Sequence, residues 1–383
     1  MPKSERIAWI DSWKGLLIFL VVLGHVVGGI RFYVDQRKFD LFMYAYTFIY
    51  LFHMPSFFMA AGCLYQRREN DAWRDFFRRK GKRLLAPYFV WGCVSAAVFL
   101  LTKSFSGAIT SGGERYYNAI GMDFPLWRPF VSLLHAGGWP GGEGFRCNSV
   151  LWFLPCMFVV LLLYDSIRRL LRGFIRDDGC KVVYLDAIML VTCFAFSEIV
   201  RYYGLRFLPW KLNAVPYMMM FFLAGRLLKS FDSLLQLHVP WYLLLCGWCV
   251  YGASISMSPD ILPRALTSHC WYLYKILHAI AGCFLSLYTA KMCDCALLAR
   301  LGISSMGIML VHKFFILPFQ AFYGRIGECG IPSLVCAVLG IAVTVSFAAY
   351  CVARVILHFV PFALGEGNKT AKEAAERLIV VSG

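Results

Sequence analysis

Apolar residues in this chain gather in long, nearly uninterrupted runs, without the polar alternation of a half-buried strand. Ten runs stand out, at about 15–31, 41–65, 84–102, 149–165, 182–200, 213–228, 240–258, 271–290, 302–320 and 333–358, most of them near the twenty or so residues that cross a bilayer as a helix. The first and fourth are short for that task, and the sixth needs its flanks. Lipid offers the backbone no hydrogen bonds, and these runs are too uniformly apolar for barrel strands, so each is predicted to be helical. The expected fold is all-α, a polytopic membrane bundle of about ten helices.

Composition agrees, with 60% hydrophobic residues against only 16% charged. The net charge of +16 then has a topological reading. With the N-terminus cytoplasmic, the even-numbered loops and both tails carry about twice as many Lys and Arg as the odd-numbered loops, so both termini are expected inside. Positive loops under a membrane need no nucleic acid to explain them. Lys3 and Arg6 give the first run a signal-like start, but a histidine within it and the lack of a small-residue cleavage pattern near Gly28 and Gly29 favour a permanent helix.

The expected organisation is one membrane domain over 1–362 and a short cytoplasmic tail over 363–383, in which Thr370 and Glu373 stand at capping-box spacing. The longest loop, Lys103 to Asn148, faces outward and mixes Gly, Trp, Tyr and Pro, which suits a lid or a sugar-contacting surface. Most of the 15 cysteines lie within apolar runs and act as small hydrophobes. Cys293 and Cys295 lack partner ligands for a metal, so none is expected. Only Cys147 and Cys329, both on the outer side, are placed for a disulfide.

Candidate chemistry begins in the first run, "DSWKGLLIFLVVLGHVVGG". Lys14 and His25 are eleven residues apart, three helical turns plus about 20°, so they share a face, and Asp11 joins the same stripe. His25 then lies roughly 16 Å beyond Lys14, about halfway through the hydrocarbon core. Ionisable groups at that depth mark functional sites by default, although a polar contact to another helix would also account for one. His53 in the second run and His312 in the ninth provide further imidazoles, His312 near the depth of His25. Between the second and third runs, Arg78, Arg79, Lys80, Lys82 and Arg83 cluster beneath the membrane. Topology and anionic lipid explain part of that excess, and a polyphosphate ligand explains the rest. A ligand with a phosphorylated head at the cytoplasmic face and a thin reactive arm inside the bundle fits both elements. Acyl-coenzyme A has that form, and a neutral imidazole suits general-base work on an alcohol.

Five segments carry a family resemblance. "RIAWIDSWKGLLIFLVVLGH", "FHMPSFFMAAG", "RRKGKRLLAPY", "LWFLPCMF" and "ISSMGIMLVHKFF" stand in the order found in integral-membrane acyltransferases of the acyltransferase 3 family, and the chain resembles the branch that includes fucose 4-O-acetylases. The resemblance implies transfer of an acetyl or other short acyl group from cytoplasmic acyl-CoA to a hydroxyl of a cell-envelope glycan or lipid-linked sugar, in the bacterial inner membrane, with no bound cofactor. It assigns the essential histidine to His25 and its basic partner to Lys14, where many members carry Arg; Lys lacks the guanidinium fork.

On this reading His25 is the general base or, alternatively, an acylated nucleophile. Asp11 fixes Lys14, and Arg78, Arg79, Lys82 and Arg83 hold the donor. His312, Ser305, His53 and Trp152 support the acceptor or the oxyanion. Glu198 with Arg201, and Lys275 with His278, are expected to be structural. A different class, a sugar or oligosaccharide exporter using His25 or Glu198 as a proton relay, predicts inverted repeats that the sequence does not display.

Overall fold

The computed structural model describes residues 8–66, 71–105, 128–135, 138–139, 142–143, 146–175, 179–205, 208–255 and 264–367. The tail helix expected near Thr370 and most of the Lys103–Asn148 loop lie outside them. The described chain is helical apart from loops and a two-residue antiparallel pair in which Gly138 faces Glu143 and Trp139 faces Gly142.

All ten apolar runs fall on helices. They are α1 (Ala8–Ile30), α2 and α3 (Gln36–Tyr50 and His53–Leu64), α5 (Ala86–Phe105), α7 (Phe153–Leu170), α8 (Gly179–Tyr202), α9 (Val215–Ser230), α10 (Trp241–Ile255), α11 (Arg264–Met292), α13 (Ser305–Gln320) and α15 (Ile331–Phe359). Shorter helices are α4 (Trp73–Lys80), α6 (Arg128–His135), α12 (Ala296–Ile303) and α14 (Tyr323–Glu328). Among the described residues six spans are long and apolar enough to cross a bilayer, and a bent pair, α12 with α13, makes up to seven. The count of ten crossings expected from the sequence is therefore larger than length and hydropathy establish.

Two departures from the expected boundaries have local causes. The second run is interrupted at Leu51 and Phe52, where Pro55 has no N–H to give the Leu51 carbonyl and its ring crowds that carbonyl; the helix restarts as Ser56 N–H bonds the Phe52 carbonyl at 2.8 Å. The first helix starts earlier than its apolar run, because Ile10 and Trp13 are buried while Asp11 and Lys14 pair.

The chain forms two compact units, one of residues 1–60, 233–354 and 373–383, the other of 61–232 and 355–372. In the first, α1 is the central element, packed on α2, α11, α12 and α13. Between lipid-embedded helices, close backbone approach and interhelical hydrogen bonds replace the hydrophobic drive available in water, and α1 uses both. Trp13 Nε1 donates to Ser286 Oγ at 3.0 Å, and Ser12 Oγ donates to Asp294. The crossing with α12 is closest: a Cβ on Gly302 would stand 1.7 Å from the Asp11 carbonyl oxygen, and one on Gly15 1.9 Å from that of Leu298.

The second unit packs α4, α5, α7, α8 and α9 around two wholly buried carboxylates. Tyr65 donates to Asp165 at 2.9 Å and Tyr164 to Asp186 at 2.7 Å, while Arg226 lies 3.5 Å from Asp186 and donates to the Tyr164 hydroxyl. Removing one member of such a set strands a buried charge. Residues after α15 also join this unit, with Trp91 Nε1 donating to the Ala363 carbonyl at 2.9 Å.

The α1–α12 crossing gives a stability prediction. Gly302→Ala must force two backbones apart, an overpacking cost of about 1–3 kcal/mol or more, whereas a Cβ on Gly340 would meet nothing within 4 Å. Thermal unfolding in detergent should show a clear drop in melting temperature for Gly302→Ala and none for Gly340→Ala; equal melting temperatures would contradict the crossing.

Candidate active site

The site is assembled on α1 and completed by α2, the start of α3 and α13, parts that all lie within the first unit. Asp11 and Lys14 form the expected pair, with Lys14 Nζ 2.8 Å from the Asp11 carboxylate. One helical face above them, His25 meets His312, the ring centroids 5.3 Å apart and inclined by 36°. The break between α2 and α3 brings in two more rings. Tyr50, the last residue of α2, sets its hydroxyl 3.4 Å from His25 Nδ1 and its ring 4.6 Å from that of His53. Three imidazoles and a phenol thus share one neighbourhood.

His25 differs from its neighbours in access. Part of its surface stays open, whereas His53 is 3% exposed and His312 0%. The two enclosed rings are held by backbone carbonyls: His53 Nδ1 lies 2.9 Å from that of Ile49 near the end of α2, across the break, and His312 Nδ1 lies 3.0 and 2.9 Å from those of Ile308 and Met309 in its own helix. A carbonyl only accepts, so Nδ1 carries the hydrogen in both rings. Lys313, next to His312, is close enough to act electrostatically on both His25 and His312.

Tyr50 and Lys313 were not singled out from the sequence. Both had a weak signal, since Tyr50 precedes His53 by three residues and Lys313 adjoins His312 within an apolar run. Ser305 opens α13 just after the Ser304 bend, half-buried, in the same unit as His25. Among the described residues no group of His, Cys, Asp or Glu has the geometry to hold a metal ion.

The remaining candidates belong to the second unit. Arg78, Lys82 and Arg83 are exposed on α4 and the turn of π-helix after it, Gly81–Leu85. Arg79 is paired with Asp71, and Arg83 stands 3.8 Å from Glu366. Gly365, at φ +71°, allows that return by lying against the Arg83 carbonyl, which a Cβ would approach to 2.2 Å. Trp152 stands at the entry to α7. Glu198 and Arg201 form the expected ion pair at 2.6 Å. In the first unit His278 Nδ1 donates to the Tyr274 carbonyl at 2.9 Å, and its Nε2 lies 2.7 Å from Ser254 Oγ. Cys329 is a free thiol, and the side chain of Cys147 lies outside the described residues.

Comparison with known proteins adds the chemical class. The acyltransferase domain profile of the acyltransferase 3 family matches residues 7–351. The nodulation protein NolL of Sinorhizobium fredii is 27% identical over 236 residues, which cover 56% of this chain and 60% of that protein. The chain therefore spans less than two thirds of this relative's length. No solved structure matches. Because the family profile takes in nearly the whole chain, from before Asp11 to beyond His312, this membrane protein belongs to the acyltransferase 3 family.

Proposed function

We propose that the protein transfers an acetyl or other short acyl group from cytoplasmic acyl-CoA to a hydroxyl of a cell-envelope glycan or lipid-linked sugar. The observation that carries this reading is His25 itself, an only partly buried residue on a helix of membrane length whose ring meets those of His312 and Tyr50. Family membership supports transfer over export as the use of that ring.

In the proposed reaction the acceptor oxygen attacks the thioester carbonyl carbon while His25 takes the hydroxyl proton. The carbon–sulfur bond then breaks, the proton passes to the departing thiolate, and an ester and free CoA leave. Lys14, held by Asp11, faces the donor arm as a point charge. Arg78 and Lys82, exposed and basic, are assigned to the donor's phosphates, with Arg79 and Arg83 contributing after exchanging their carboxylate partners. His312, His53, Ser305 and Trp152 are assigned to the acceptor side. The same reading places the protein in a bacterial inner membrane, with residues 1–362 as the membrane domain, ten crossings and both termini cytoplasmic. Beyond the six spans, α5, α9, the short α10 and the bent α12–α13 pair then count as crossings.

Three measurements test this. Envelope glycan mass spectrometry of wild type, deletion and His25→Ala should show one acyl mass present in the first and lost from the other two; full modification in His25→Ala would remove His25 from the chemistry. Incubation with radiolabelled acetyl-CoA and no acceptor should leave the protein unlabelled, and label retained on His25 would replace direct transfer with an acyl-imidazole route. Saturating acetyl-CoA should raise the melting temperature of the wild type by mass action, by about 2.7 kcal/mol of stabilisation at a hundredfold excess over Kd. The rise should be smaller in an Arg78→Ala, Lys82→Ala double variant, and an equal rise would take the donor's phosphates away from that stretch.

A further inference from the structure

Resting on the acyl-transfer reading, we propose that the acceptor presents two neighbouring hydroxyls to this site, one to His25 and one to His312, so that the substrate is a vicinal diol of a sugar and not an isolated alcohol. The argument begins with a hydrogen count. His312 Nδ1 faces two backbone carbonyls at 3.0 and 2.9 Å and must donate to them. In the neutral ring Nε2 is then a lone pair with no hydrogen to give. That nitrogen is buried and without a hydrogen-bond partner, an arrangement that costs stability unless a donor arrives with the ligand.

The same count removes one role. A neutral His312 has no N–H at Nε2, so it cannot stabilise an oxyanion, and its service to the reaction must be to accept a hydrogen. His25 needs one as well. His25 Nδ1 lies 3.4 Å from the Tyr50 hydroxyl; with Nδ1 donating its hydrogen to that oxygen, Nε2 is the lone pair left for the substrate. With the rings 5.3 Å apart, a single hydroxyl cannot satisfy both, because it carries one hydrogen. Hydroxyls on adjacent carbons supply two at a spacing that suits neighbouring rings.

The test pairs substrate and enzyme changes. Membranes containing the full chain are given acetyl-CoA and either methyl fucoside, which has adjacent 3- and 4-hydroxyls, or its 3-deoxy analogue. A site built to accept a hydroxyl hydrogen rejects the analogue strongly, so wild type should favour the parent glycoside by about 100-fold or more in kcat/KM. In His312→Ala that preference should shrink to about threefold or less, and His312→Gln, which can return an amide oxygen near the Nε2 position, should recover part of it. Equal kcat/KM for the two glycosides in wild type would overturn the inference, and so would a preference that persists undiminished in His312→Ala. Should His312→Ala fail to fold, the wild-type and His312→Gln comparison decides. Failure of the underlying reading has a separate signature, an envelope glycan with the same acyl content in wild type and deletion, and it would take the diol proposal with it.

Discussion

The contact on which the first unit depends is the crossing of α1 and α12, where glycines at 15 and 302 let one helix lie on the backbone of the other. In lipid, apolar side chains gain little by leaving their surroundings, so helices hold together through close approach and interhelical polar contacts. That crossing also clamps the Asp11 carbonyl, fixing the end of α1 that carries Lys14. Beyond Gly302 the chain bends by 83° into α13, which starts from this anchored point and runs up beside α1. The meeting of His312 with His25 is thus a consequence of where α12 is pinned and how far α13 then extends.

The second constraint is the hydrogen-bond accounting that a bilayer enforces. A buried imidazole has two nitrogens to satisfy, and His53 and His312 each satisfy one on a carbonyl of the preceding helical turn. The arrangement needs no partner helix and sets the tautomer as a by-product. It also concentrates the unmet demand on the far nitrogen. His278 shows the alternative outcome: its Nδ1 uses the Tyr274 carbonyl in the same way, but Ser254 meets the other nitrogen at 2.7 Å. The same local habit therefore yields a closed contact in one place and an orphaned acceptor beside His25 in another.

Much of this was legible in the sequence because period and depth are linear properties. Run length placed the long helices, eleven residues of separation put Lys14 and His25 on one face, and rise per residue set His312 near the level of His25. Pro55 also announces the break after Leu51, although run length alone joined the two pieces. The second dimension was not legible. Which way α2 turns its last residue decides that Tyr50 reaches His25, and rotation about a helix axis is fixed by neighbours that hydropathy does not name. The Gly302 crossing is invisible for the same reason, since a glycine in a helix signals close approach without saying to what.

Arg79 and Arg83 have carboxylate partners on their own unit, so a phosphate must displace Asp71 or Glu366 to use both guanidinium forks. Arg78 and Lys82 carry no such cost and are exposed. Of the two, the Arg83–Glu366 pair is the more open and the cheaper to exchange, while Asp71 is largely enclosed beside Arg79. Donor capture by this stretch would then be modest in affinity and sensitive to salt. The discriminating interactions would lie deeper, where lipid excludes water and each unmatched hydrogen bond carries its full weight. A transferase built this way would hold its common donor loosely and select its acceptor at the two histidines.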